Sequence, residues 1–220
     1  MNYSKRDKEK IHIAVSGNIG AGKSSLVRAL SAYYNWHPVY EPSDDHPYLQ
    51  DFYRDMHRWA FPTQIYFLTS RFRQAVALQE VTKSIVQDRT IYEDAHIFAL
   101  NLYQSGFLQE RDYQNYLGLY HSMINFVQQP NLLIYLKGSV PTFVERIRNR
   151  VKSENKRRYE NTISNEYLSN LNLLYEQWIQ HFKICKILTI NIDSTDILGN
   201  EYNFKQLVHR IDQELIALAL

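Results

Sequence analysis

The chain has a single cysteine among its 220 residues, so no internal disulfide can form. That residue, Cys185, sits in the apolar run Ile184 to Ile190, where it reads as core packing and fits a reducing compartment. No apolar stretch approaches the roughly 18 residues needed to span a membrane, and Met1 to Lys10 is a polar, charged tail rather than a secretory leader. A cytoplasmic location in a bacterium-like cell, without a membrane partner, is the expectation. An excess of one charge is missing too. The formal net charge is +2 at pH 7, so nothing global draws the chain to nucleic acid. Repeats, low-complexity tracts and Pro/Gly/Ser linkers are also lacking, so 11–220 is expected to fold as one domain behind the tail, 1–10.

Five β-rich runs are present: Ile11 to Ser16, His37 to Glu41, Ser84 to Gln87, Asn131 to Lys137 and Ile187 to Ile192. Between them lie segments with apolar residues at three- and four-residue spacing: Gly22 to Tyr34, Trp59 to Val81, Tyr92 to Ser105, Arg111 to Gln128 and Asn165 to Phe182. Pro141 starts a further helix through Arg150, and Asn203 is the expected cap of a last one, Phe204 to Leu218. The alternation predicts an α/β fold, a three-layer α/β/α sandwich on a five-stranded parallel sheet with strands buried on both faces.

Directly after the first run, Gly17-Asn18-Ile19-Gly20-Ala21-Gly22-Lys23-Ser24 fits G-x-x-x-x-G-K-[ST] at every required position, and a helical pattern follows. Glycines let the backbone N–H groups face a phosphate, and the helix points its positive end at the same anion. Lys23 would bridge the β- and γ-phosphates and Ser24 would hold Mg²⁺. Such a loop implies triphosphate binding, and other residues must decide the function. A GTPase would carry N-K-x-D, but Asn155-Lys156 is followed by Arg157-Arg158. Asp196 to Gly199 matches D-x-x-G but follows the last strand run, so it is read as a turn. A small-molecule kinase remains, ahead of a thymidylate-kinase-like monophosphate kinase and a non-catalytic nucleotide-binding module.

A kinase needs a group that orients or deprotonates the attacking hydroxyl. Glu41-Pro42 ends the second strand run, and Asp88-Arg89 ends the third. Either carboxylate can serve as the base; Asp88 can support Mg²⁺ and Arg89 can stabilise the transferred charge. These pieces, with the loop from Gly17 through Ser25, the stretch Tyr53 to Arg71 containing Trp59-Ala60-Phe61 and Gln64, Asp88-Arg89-Thr90 and Asp94 to Phe98, resemble the deoxynucleoside kinase family. The similarity runs in order from about Ile11 to Trp178 and looks nearest to the bacterial deoxyadenosine kinases.

The resemblance implies ATP as donor and the 5′-hydroxyl of a deoxynucleoside as acceptor. Glu41 would approach that hydroxyl, Arg89 would steady the 5′-oxygen and phosphates, and Tyr53 with Glu160 would hold the 3′-hydroxyl. Gln64 and Arg71 share one helix face, and the resemblance sets Asp94 opposite them at the base, with Phe98 as the stacking ring. Adenine is the first expectation for that base, then guanine or cytosine. A homodimer, through the helices beginning near Tyr92 and Asn165, is implied as well. The arginine-rich stretch Arg146 to Arg158 reads as a lid over the triphosphate, at about 150–160, rather than as an RNA-binding patch. Related kinases carry R-x-R or R-G-R before a glutamate, whereas Val151 to Lys156 is expanded and lacks glycine. Arg157 and Arg158 are the leading lid candidates, followed by Arg150, and Arg146 is read as a helix-surface charge. His96 and His121 lack a second ligand at metal spacing and are assigned to structure.

Overall fold

The computed structural model describes residues 10–41, 46–153 and 155–218, without the side chains of residues 155, 156, 158 and 218. Its centre is a five-stranded parallel sheet in the order β2-β3-β1-β4-β5. The strands are β1 (His12–Ser16), β2 (His37–Val39), β3 (Ile85–Asp88), β4 (Leu132–Lys137) and β5 (Lys186–Asn191). His12 lies opposite Ile85 on one side of β1, and Ile13 opposite Leu132 on the other. Every residue of β1 and β3 is buried, as central strands covered by helices require. The edge strands depart from expectation: β2 is buried only at Val39, and β5 alternates in its second half. An edge has a neighbour on one side only, so part of its surface faces water.

Helix α1 (Lys23–Tyr34) returns along one face, where Leu26, Val27 and Leu30 pack against Ile13, Val15, Ile134 and Leu188. Helix α9 (Glu201–Leu218) joins this layer through Leu207, Val208 and Ile211. Each such side chain stabilises the fold by about 1.5–3 kcal/mol relative to exposure. The opposite layer contains α3 (Met56–Ala77), α6 (Glu110–Ile124) and α8 (Asn165–His181), whose Leu68, Tyr116, Leu171 and Tyr175 share a second core. The expected helix from Tyr92 to Ser105 is present in three pieces. A π-helical turn, Asp94–Ala99, separates α4 (Ile91–Glu93) from α5 (Leu100–Gln104), and such turns often mark functional sites.

Sequence reading missed α2 (Leu49–Arg54), which is too short to show a period but buries Leu49 and Phe52. Asn203 is not the cap of the last helix. Its backbone N–H donates to Asn200 Oδ1 at 3.2 Å, so Asn200 caps and the helix begins three residues early. Helix α7 (Val140–Ser153) starts with Pro141 in its first turn, as expected. Among the described residues, no helix is long and apolar enough to cross a membrane.

Candidate active site

The phosphate loop connects β1 to α1 at the C-terminal edge of the sheet, where open parallel sheets bind ligands. At Gly20 φ is 84°, and a Cβ would come within 2.8 Å of the Phe143 carbonyl oxygen, so only glycine fits. Asn18 is buried and pins the loop: its Nδ2 donates to Leu168 O at 3.0 Å, and its Oδ1 accepts from Ile19 N at 2.8 Å. Lys23 curls back so that Nζ donates to Gly17 O at 2.9 Å and Asn18 O at 3.0 Å. Burial first, then Arg89, lowers its pKa to about 8. Ile19, Gly20, Gly22, Ser24 and Ser25 line the same cleft, with Ala21 behind them in the core.

The Ser24 hydroxyl donates to Asp88 Oδ2 at 2.5 Å, while the buried Asp88 Oδ1 has no hydrogen-bond partner among the described residues. A hydroxyl beside an unsatisfied carboxylate oxygen is a donor set suited to a hard cation such as Mg²⁺. Among the described residues, no group of three or more His, Cys, Asp or Glu could hold a metal by itself.

Across the cleft, four side chains form an alternating chain of charge. Asp94 Oδ2 accepts from Arg71 Nε at 2.6 Å, and Glu41 Oε1 accepts from both Arg71 Nη2 at 2.9 Å and Arg89 Nη1 at 2.7 Å. Glu41 stands two residues beyond the end of β2, and Pro42 lies outside the described residues. Burial pushes the Glu41 carboxyl up, but Arg89, Arg71 and Lys23 outweigh it and hold the pKa at about 2. Asp94 responds in the opposite sense: burial raises it to about 6 against the pull of Arg71. Arg89 has φ 63°, a left-handed conformation that costs a non-glycine residue about 1–2 kcal/mol. Its backbone N–H donates to Val15 O at 2.9 Å, and its guanidinium lies 4.4 Å over the Phe98 ring.

Gln64 and Arg71, two turns apart on α3, are both buried, and Gln64 Oε1 is unsatisfied. Gln64 lines a cleft of about 430 Å³ that also receives Lys23, Glu41, Asp94 and Phe98, whereas Arg71 is not part of its wall and joins it only through its bonds to Asp94 and Glu41. Tyr53 on α2 lines it too, stacked on Tyr159 with ring centroids 5.7 Å apart. Glu160 accepts from Arg150 Nε at 2.9 Å and Nη2 at 2.6 Å, and from Arg157 Nη1 at 3.3 Å. The Arg158 side chain lies outside the described residues. Arg146 corrects its reading as a surface charge: Nη1 donates to Ala21 O at 2.9 Å, directly against the phosphate loop. Glu93 was not foreseen either, although Thr90-x-x-Glu93 is a capping-box pattern and the box is formed. His96 lies 3.4 Å from Tyr120 OH, in keeping with a structural role.

A glycine cradle on a parallel sheet, opening on a cleft with polar and aromatic walls, defines the class as a P-loop phosphotransferase. The deoxynucleoside kinase family model matches residues 13–217, and the chain belongs to that family. It is 35% identical over 201 residues to the deoxyadenosine/deoxycytidine kinase of Bacillus subtilis (strain 168), covering 90% of each chain. It is 42% identical over 179 residues to the deoxyadenosine kinase of Dictyostelium discoideum, covering 81% of this chain and 71% of that one. A solved structure of the deoxyadenosine kinase from M. mycoides with bound dATP gives a TM-score of 0.80 at 27% identity, covering 92% of this chain and 100% of the other. The chain is thus a kinase of deoxynucleosides, with the fold expected from its sequence.

Proposed function

We propose that the chain transfers the γ-phosphoryl of ATP to the 5′-hydroxyl of deoxyadenosine, ahead of deoxyguanosine and deoxycytidine. The observation that supports this reading is the run of ion pairs Asp94–Arg71–Glu41–Arg89, which would join a base-reading pair to a carboxylate beside the phosphate loop. Gln64 has a free acceptor and an amide donor, enough for two adjacent contacts on adenine or cytosine. Phe98, with one ring face under Arg89, and Phe67 supply apolar walls.

Phosphoryl transfer proceeds through a loose transition state, so catalysis needs placement and charge stabilisation more than a strong base. A Glu41 carboxyl held at about 2 suits that demand. It stays charged, orients the 5′-hydroxyl and takes its proton late. Asp88, bonded to Ser24, is then the metal-side carboxylate, and those two residues would hold a Mg²⁺ that neutralises charge on the phosphates. Lys23 would leave the Gly17 and Asn18 carbonyls for the phosphate oxygens. Tyr53 and Glu160 fit the 3′-hydroxyl, while Arg150 and Arg157 fit a lid over the triphosphate and Arg158 stays a lid candidate.

The same reading includes one domain over 11–220 with a lid near 150–160, a reducing cytoplasmic setting and a homodimer. For the last, Leu173 on α8 is 59% exposed, an apolar side chain that a second copy would cover. The decisive assay presents the purified protein with ATP and each of the four deoxynucleosides, with the monophosphate product quantified. Deoxyadenosine should show the highest kcat/KM. Thymidine as the best substrate would overturn the base assignment, and no turnover with any of the four would overturn the reaction.

A further inference from the structure

Glu93 is a carboxylate that the scheme above does not use. It is 0% exposed and stands between Arg89 and Asp94 in the chain, both of which line the cleft that it does not itself reach. Its Oε2 accepts from the Thr90 backbone N–H at 2.7 Å and from Thr90 Oγ1 at 3.2 Å. Its Oε1 accepts from Ser16 Oγ at 2.9 Å and Tyr175 OH at 3.0 Å, and lies 3.8 Å from Arg89 Nε. Three parts of the site therefore meet on one side chain. Ser16 ends β1 and leads into Gly17, Thr90 follows Arg89, and Tyr175 belongs to α8.

Capping alone does not require a charge here, because glutamine serves the same box. Burying a carboxylate is unfavourable unless a cation compensates. Among the described residues, the cation paired with Oε1 is Arg89, whose buried Nε has no hydrogen-bond partner there and whose backbone sits at φ 63°. Glu41 holds the same guanidinium from the other side through Nη1. When an acceptor hydroxyl engages Glu41, that hold is shared, and Glu93 is the anion that keeps Arg89 aimed.

We infer that Glu93 is a positioning residue for phosphoryl transfer: its charge orients the Arg89 guanidinium, and its hydrogen bonds tie that arginine to the root of the phosphate loop. This rests on Arg89 acting on the transferred group. Wild-type turnover with a deoxynucleoside, measured alongside, separates failure of that reading from failure of this one.

The test is Glu93→Gln, because Ser16 and Tyr175 hydroxyls can turn to accept from its amide and preserve the packing. The expected result is a kcat lower by about tenfold to a hundredfold, with ATP and deoxyadenosine binding within about twofold of wild type. In an Arg89→Lys background, Glu93→Gln should add little further loss, since both act on one group. Tyr175→Phe, which removes a hydrogen bond but leaves the charge, should keep kcat near wild type. An unchanged kcat in Glu93→Gln, losses that multiply with Arg89→Lys, or a Glu93→Gln chain that does not fold would each assign the carboxylate to scaffolding and overturn the inference.

Discussion

Glu41→Gln separates chemistry from binding most cleanly. The native carboxylate accepts two charge-assisted bonds, from Arg71 and Arg89, and its pKa falls from 4.5 to about 2 on folding. A group lowered in this way stabilises the fold above its unfolded pKa, and the stabilisation is lost as pH falls through the folded value. That drop corresponds to about 3 kcal/mol at neutral pH. Glutamine still accepts both bonds but as a neutral group, forfeiting about 1 kcal/mol at each, so the two routes agree on about 2–3 kcal/mol. For a chain of this size the melting temperature should fall by about 5–10 °C, and the acid destabilisation between about pH 4.5 and 2 should flatten. Turnover should fall by about a hundredfold or more, since the hydroxyl loses its charged orienting partner. ATP affinity should hold or rise slightly, because an anion near Lys23 has gone. Thermal melts, steady-state kinetics and ATP titration calorimetry read the three effects. A kcat within about threefold of wild type, or ATP affinity lost in step with turnover, would refute the placement of Glu41 beside the acceptor.

The remaining expectations are simpler. Lys23 in the free enzyme loses its charge above pH about 8, whereas phosphate contact favours the charged form, so the ATP Kd should rise about tenfold per pH unit beyond that point. A flat titration to about one unit above it would exclude this linkage. Asp94→Ala leaves Arg71 Nε without its partner and should lower kcat/KM for deoxyadenosine by at least about tenfold, and more than for thymidine. Equal losses in competition assays would argue against base recognition by the pair. Gly20→Ala forces a Cβ against Phe143 O at positive φ and should destabilise by about 1–3 kcal/mol, while Gly118→Ala on α6, where a Cβ meets nothing, should stabilise by about 0.5–1 kcal/mol. Melting curves that move the same way for both would contradict the loop geometry.

Much of this was legible in the residues because it is local. The phosphate loop is a contiguous string whose spacing dictates its backbone, and the five strands announce themselves as short apolar runs between helical periods. Gln64 and Arg71 fall on one helix face by period alone. What is local but short escaped: α2 has too few residues to show a period, and the cap of α9 was misread from Asn200 to Asn203. Arg146 looked like any basic residue on an amphipathic helix until the packing of α7 brought it to Ala21 O.

By itself, the sequence determined a parallel α/β sheet and a triphosphate cradle, since both follow from patterns within a few neighbouring residues. Only the tertiary structure decided that Glu41 lies between Arg71 and Arg89, that Asp88 Oδ1 stays unsatisfied beside Ser24 among the described residues, and that Glu93 is buried against Ser16 and Tyr175. These depend on side chains tens of residues apart along the chain, held together where water is excluded. Charge and hydrogen bonding there take values that no local pattern encodes.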